Sequence, residues 1–276
     1  MPPPTDPRTQ DRMRRALRHA LSALTATADL DAEVWGWRGR TLSRAVRTEQ
    51  RHPAWLRLAA APTGGTDHVF WHGNRASREL PAAIPRPRLR RVHDWARDGW
   101  NYRAELFDRA QTATVHSAPA LANDPTLPND WWGDLRESLT TLACIQTRRR
   151  TITQPTIDWL LRTYIDPSIP TAVTHWTTAH GDLRWPNLCG PPLEILDWEG
   201  WGLAPMGYDI AMLHSFSLLT PTTAARIRAE FADLFSSRTG RQAELITIAE
   251  LLHLAAQGDH AELVPPLRNR AAELVH

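Results

Sequence analysis

The residues best suited to chemistry lie in one short stretch. His180-Gly181-Asp182-Leu183-Arg184-Trp185-Pro186-Asn187-Leu188 is followed by Ile195-Leu196-Asp197-Trp198-Glu199 and then by Gly207-Tyr208-Asp209-Ile210-Ala211. Asp182, Asn187 and Asp197 put two carboxylates and an amide within about 15 residues, and Pro191-Pro192 can turn one short strand back on another between them. A magnesium ion takes oxygen ligands, commonly one or two side chains together with substrate phosphates. Asn187 and Asp197 could supply those side chains. Asp182 would then be free to accept a proton from an attacking hydroxyl beside the metal. That combination suits phosphoryl transfer. Asp and Asn also populate turns and strand ends, but turn chemistry does not account for the whole ordered set.

The chain that must position these groups has 276 residues, 42% hydrophobic and 22% charged, enough for one large or two closely packed domains. Charged residues interrupt every apolar run, so a membrane span is not expected, and His19, Ser22 and Thr25 break the N-terminal apolar region before it reaches the length of a signal peptide. Cys144 and Cys189 are far apart and outside any CxxC pair, which favours a reducing cytoplasm over a disulfide framework. The histidines show no HExxH spacing, so zinc hydrolysis is not expected. All 32 basic residues are arginine. A mechanism that needs lysine must use arginine here or fail.

Met1 to Pro7 is a proline-rich lead expected to be unstructured, and Met13, Leu17, Leu21 and Leu24 follow at the spacing of an amphipathic helix. Residues 33–107 read as short β pieces: a hairpin of Glu33 to Trp37 with Thr41 to Val46 around Gly36 and Gly39, a strand at Ala54 to Ala59, and a hairpin of Val92 to Trp95 with Tyr102 to Phe107 around Asp98-Gly99. Asn74 to Leu80 reads as a short helix ending at Pro81. Helical patterns occupy 131–146, 155–165 and 208–275, while Thr174 to Gly207, dense in Gly, Pro and Asp, does not suit a helix.

The ordered set H-G-D-x-x-x-x-N, I-L-D-W-E and Y-D-I-A resembles the aminoglycoside phosphotransferase and choline kinase-like family, over about 32 residues with order and spacing kept. The resemblance implies an α+β, two-lobed protein-kinase-like fold with a small antiparallel-sheet N-lobe (1–107), a hinge (108–110) and a mainly helical C-lobe (111–276). It implies Asp182 as catalytic base, His180 orienting its loop, Asn187 and Asp197 holding Mg2+, and Asp209 bracing the loop from the next helix. ATP or GTP would be the co-substrate, with backbone near Leu106 to Arg109 as base partners, and a small-molecule hydroxyl the acceptor, the family including antibiotics and other polyols among its acceptors.

The N-terminal half departs from the family pattern. Gly36-Trp37-Arg38-Gly39 is a poor glycine-rich loop, and Arg57 stands where the resemblance puts the phosphate-contacting lysine, with Glu79 as its expected carboxylate partner. Guanidinium keeps the charge but is longer and planar. A kinase-like pseudoenzyme that binds a nucleotide or a partner is therefore a competing reading. A hydrolase using the same carboxylates leaves Tyr208-Asp209 unexplained. Trp185, Trp198 and Trp201 could wall an acceptor site or wedge the loop against the helical lobe, the second being preferred. The arginine runs at 12–18, 86–91 and 148–150 read as solvated faces, and neither nucleic acid nor membrane is an expected partner.

Overall fold

The computed structural model describes residues 3–66 and 69–275. Part of the expected unstructured lead, Met1 and Pro2, lies outside them; residues 3–6 carry no regular structure. The chain divides into two compact units, one of residues 1–78 and 86–111, the other of residues 79–85 and 112–276. The segment 79–85 was expected with the sheet. It belongs to the second unit, where the Pro85 carbonyl accepts from Ile195 N–H at 2.9 Å.

The first unit opens with α1 (Pro7–Ala23), capped by Asp6, whose carboxylate accepts from the N–H groups of Arg8 and Thr9. Strands β1 (Ala26–Ala28), β2 (Val34–Trp35), β3 (Thr41–Thr48) and β4 (Pro53–Pro62) precede α2 (Val69–Ala76), which starts earlier than the sequence reading had it and runs on as a 3-10 turn over Ser77–Glu79. β5 (Leu89–Arg97) and β6 (Trp100–Asp108) complete an antiparallel sheet of order β1-β3-β4-β6-β5, with β2 also on β3. Asp98 and Gly99 both have positive φ, 51° and 77°, the signature of the two-residue turn whose twist matches its strands.

Alternation along β4 divides its side chains between two faces. Ala54, Leu56, Leu58 and Ala60 are buried in a core that also contains Met13, Leu17 and Ala20 of α1 and Ala104 and Leu106 of β6. Arg57 therefore points to the opposite face. There Trp71 and Asn74 of α2 meet Arg103 and Glu105 of β6: Arg103 Nη1 donates to the Trp71 carbonyl at 2.6 Å, and Asn74 Nδ2 to Glu105 Oε2 at 2.9 Å.

The second unit contains α3 (Asn129–Ala143), α4 (Gln154–Tyr164), four short strands β7 (Trp176–Ala179), β8 (Leu188–Cys189), β9 (Glu194–Ile195) and β10 (Gly202–Pro205), then α5 (Tyr208–Ser215), α6 (Pro221–Glu230), α7 (Ala232–Phe235), α8 (Arg238–Ala256) and α9 (Val264–Val275). β7 pairs antiparallel with β10, and β8 with β9. The expected non-helical stretch is thus two small β ribbons set among helices. Glu244 of α8, 1% exposed, ties the helices by accepting from Arg270 of α9 at 2.9 and 3.1 Å and from Arg228 of α6 at 3.2 Å. No helix among the described residues is long and apolar enough to cross a membrane.

Candidate active site

Two ribbons and one helix start build the site. β7 delivers the chain to His180, and its pairing with β10 places Ala179 opposite Gly202, so the loop after β7 lies near the segment that leads into α5. Asp209, in the first turn of α5, uses both oxygens on that loop. Oδ2 accepts from His180 N–H at 2.7 Å and Oδ1 from Gly181 N–H at 2.9 Å. Burial pushes the Asp209 carboxyl up, while these two N–H groups favour its charged form. Gly181 is required where it stands: its φ is +84°, and a Cβ there would come within 2.7 Å of the Gly200 carbonyl oxygen and of Thr151.

His180 is fully buried and joins the two halves of the site. Its Nε2 lies 2.8 Å from the Leu196 carbonyl, and its Nδ1 is 3.3 Å from the Asp182 N–H. The neutral tautomer with its proton on Nε2 satisfies both contacts. The ring thereby links the turn carrying Asp182 to the residue before Asp197. Trp198 closes over it edge-on, 4.7 Å between ring centres, and donates Nε1–H to the Ile195 carbonyl at 2.8 Å.

The β8-β9 hairpin brings the remaining polar groups together. Leu196 N–H donates to the Asn187 carbonyl at 2.8 Å, so Asn187 and Asp197 flank the same end of the hairpin. Asn187 Nδ2 donates to the Asp182 carbonyl at 2.8 Å and to its Oδ2 at 3.1 Å. The amide nitrogen is thereby committed to Asp182, and Oδ1 is the acceptor it presents. Asp197 has φ +59°, a left-handed conformation that Asp tolerates better than most residues and that turns the chain sharply after the hairpin. A carboxylate and an amide oxygen are the hard donors that magnesium takes, so this pair fits the ion that the sequence reading implied.

Asp182 also receives Arg184 Nη2, 2.7 Å from its Oδ2. Burial raises the Asp182 pKa; Arg184 opposes the rise and the nearby charge of Asp197 adds to it. Arg184 carried no role in the sequence reading, although it sits two residues from Asp182. The tryptophans wedge the loop: Trp185 is fully buried, stacks on Trp131 at 6.5 Å and donates to Ser217 Oγ at 3.0 Å.

In the sheet unit, Arg57 is held by a different carboxylate from the one expected. Its Nη1 lies 3.0 Å from Glu105 Oε2, because β4 and β6 pair with Arg57 directly opposite Glu105. Glu79 is exposed in the 3-10 turn after α2. Finding Glu105 from sequence would have required knowing that β4 lies beside β6 rather than β5. Gly36 and Gly39 bracket the turn between β2 and β3, and both serve its packing. A Cβ on Gly36 would strike Thr41 Oγ1, and one on Gly39, whose φ is +71°, would meet Pro4 at 2.8 Å.

Neither a protein-family model nor a curated protein sequence matches the chain. Solved structures do. A thermostable mutant of aminoglycoside phosphotransferase APH(4)-Ia, in apo form, is 12% identical with a TM-score of 0.63, over 94% of this chain and 97% of that one. Amicoumacin kinase hAmiN, in complex with AMP-PNP, Ca2+ and Ami, is 12% identical with a TM-score of 0.57, over 97% and 95%. Choline kinase LicA from Streptococcus pneumoniae is 14% identical with a TM-score of 0.56, over 95% and 98%. Sheet unit, helical unit and near-complete coverage agree: the chain has the protein-kinase-like fold shared by aminoglycoside phosphotransferases and choline kinases.

Proposed function

We propose that the protein is a small-molecule kinase that moves the γ-phosphoryl group of ATP or GTP to a hydroxyl of a small-molecule acceptor. The observation that carries this reading is the joint arrangement of Asp182 and Asn187, on a loop clamped by Asp209, with Asp197 at the same end of the following hairpin. The carboxylate of Asp182 accepts the acceptor's hydroxyl proton as the oxygen attacks phosphorus. Asn187 holds Asp182 in place through its amide nitrogen and, with Asp197, offers oxygen ligands to Mg2+. When bound, the ion would neutralise charge on the nucleotide phosphates. Arg57, braced by Glu105, is proposed for the phosphate-contacting role that the family resemblance gives to lysine. Structural neighbours named as kinases of an aminoglycoside, an amicoumacin and choline support a hydroxyl-bearing small molecule as the acceptor class, with polyol antibiotics the first to test.

Thermal melts with ATP or GTP, with and without Mg2+, test nucleotide use. A bound nucleotide at about 100 times its Kd stabilises by about 2.7 kcal/mol. The expected result is stabilisation that needs Mg2+ and is lost in Asp197→Ala, followed by ADP or GDP release when a polyol acceptor is added. Absence of any Mg2+-dependent stabilisation would overturn the kinase reading. Binding without turnover across aminoglycosides, amicoumacin and choline would favour the pseudoenzyme.

A further inference from the structure

We infer that Arg184 is a catalytic residue: the guanidinium that the chain itself supplies to the phosphoryl group in flight. This rests on the kinase reading and extends it.

The transferring phosphoryl group spreads negative charge over its equatorial oxygens, and fixed cations aimed at that charge lower the barrier. The chain contains no lysine, so a side-chain ammonium is ruled out and arginine is the one permanently charged cationic side chain it has. Within the loop that carries Asp182, that arginine is Arg184. It is already at the reacting position: Nη2 is 2.7 Å from Asp182 Oδ2, the oxygen that also receives Asn187 Nδ2. Its side chain keeps 23% exposure, which leaves it open to a substrate while most of it is out of water. Its Nε–H is buried without a hydrogen-bond partner. A buried donor normally finds one, and a phosphoryl oxygen beside Asp182 would provide it.

Local structure explains why the side chain stays there. Arg184 has extended backbone, φ −138° and ψ 164°, immediately before the 3-10 turn Trp185–Asn187, and Trp185 anchors that turn in the core. The guanidinium is thus projected from a fixed point. Planar and forked, it can keep one N–H on Asp182 while others reach phosphate oxygens.

In the step itself, the acceptor oxygen forms a bond to the γ-phosphorus and the bond from that phosphorus to the β-bridging oxygen breaks. The electron pair of the broken bond leaves on the β-phosphate of the nucleoside diphosphate, and the acceptor's proton passes to Asp182. Arg184 donates to the equatorial oxygens throughout and is unchanged at the end. Its contribution is greatest when their charge is most dispersed, so it should act on turnover more than on ground-state nucleotide binding.

The test needs no knowledge of the natural acceptor. Slow hydrolysis of Mg2+-ATP, with water as acceptor, is measured for wild type, Arg184→Ala and Arg184→Lys. Titration calorimetry then gives affinities for Mg2+-AMP-PNP and for Mg2+-ADP with aluminium fluoride, a mimic of the group in flight. Arg184→Ala should lower turnover and affinity for the fluoride complex by about 10²-fold to 10³-fold. Its AMP-PNP affinity should stay within about threefold of wild type, the split expected for an interaction made in the transition state. Arg184→Lys should recover part of both losses and serves as the reporter should the alanine variant fail to fold. Undiminished hydrolysis and fluoride-complex affinity in Arg184→Ala, or equal loss of AMP-PNP and fluoride-complex affinity, would overturn the assignment while leaving the kinase reading standing. A wild-type protein that binds no Mg2+-nucleotide would overturn both.

Discussion

One oxygen of Asp182 receives both Arg184 and Asn187, which fixes the direction in which the carboxylate faces. Replacing it with asparagine keeps the size of the group and removes its capacity to take a proton. Turnover of Asp182→Asn should fall by about 10²-fold or more, while calorimetry should show Mg2+-nucleotide affinity retained, because the proposed base would act on the acceptor and not on the nucleotide. Asp209 is expected to behave differently. Its carboxylate holds two backbone N–H groups of a buried loop, and Asp209→Ala would leave both without a partner, at about 1 to 3 kcal/mol each. Denaturant titration should show reduced stability together with reduced activity. Full stability with selective loss of chemistry would instead make Asp209 a participant in the reaction.

Pairs of elements set the next group of properties. β4 against β6 buries the Arg57 and Glu105 pair, 12% and 1% exposed, and α2 adds Asn74 to the same carboxylate oxygen. Glu105→Gln removes the charge of this buried ion pair, which should cost about 3 kcal/mol of stability and weaken nucleotide binding as Arg57 loses its charged brace. An unchanged melting temperature and affinity would separate Arg57 from both roles. Among the helices, His214 of α5 is buried beside Glu244, 3.7 Å away, whose charge is already taken by Arg228 and Arg270. Burial and then those two arginines lower the His214 pKa to about 3 from 6.5. Between these values the unfolded chain binds a proton that the folded one does not, so stability falls as pH drops from about 6.5 towards 3. His214→Gln should therefore lose less stability than wild type between about pH 7 and pH 4, as read by denaturant midpoints at each pH.

At the scale of the whole chain the absence of lysine has a direct chemical consequence. Acyl phosphates of ATP label kinases by acylating a lysine beside the phosphates. Here every basic residue is arginine, so mass spectrometry after such treatment should show no nucleotide-directed acylation of a side chain. An arginine reagent such as phenylglyoxal should instead modify Arg57 or Arg184, and Mg2+-ATP should protect them. Modification of both at the same rate with and without nucleotide would count against the phosphate-contacting roles proposed for them.

The amino-acid sequence determined the parts whose information is local. Helix periodicity marked α1, Asp98-Gly99 marked a hairpin turn, and the ordered set from His180 to Asp209 marked the loop, since all its members fall within a few turns of chain. Even there, the tertiary structure was needed to show that Asp209 reaches back across 28 residues to the Gly181 N–H and that His180 ties the loop to Leu196. Arg57 was legible as a charge on a strand, but its partner was not. The strand order β4-β6-β5 interposes β6, and a cross-strand carboxylate 48 residues away replaces the expected Glu79. Arg184 was visible as a residue type but not as a contact, because whether a side chain two residues on turns towards Asp182 depends on the extended backbone at 184 and the buried anchor at Trp185. Sequence specifies which groups are available and what local turns they favour. Which of them meet at 3 Å is decided by packing between elements distant in the chain, where burial makes an unpaired charge too costly to leave alone.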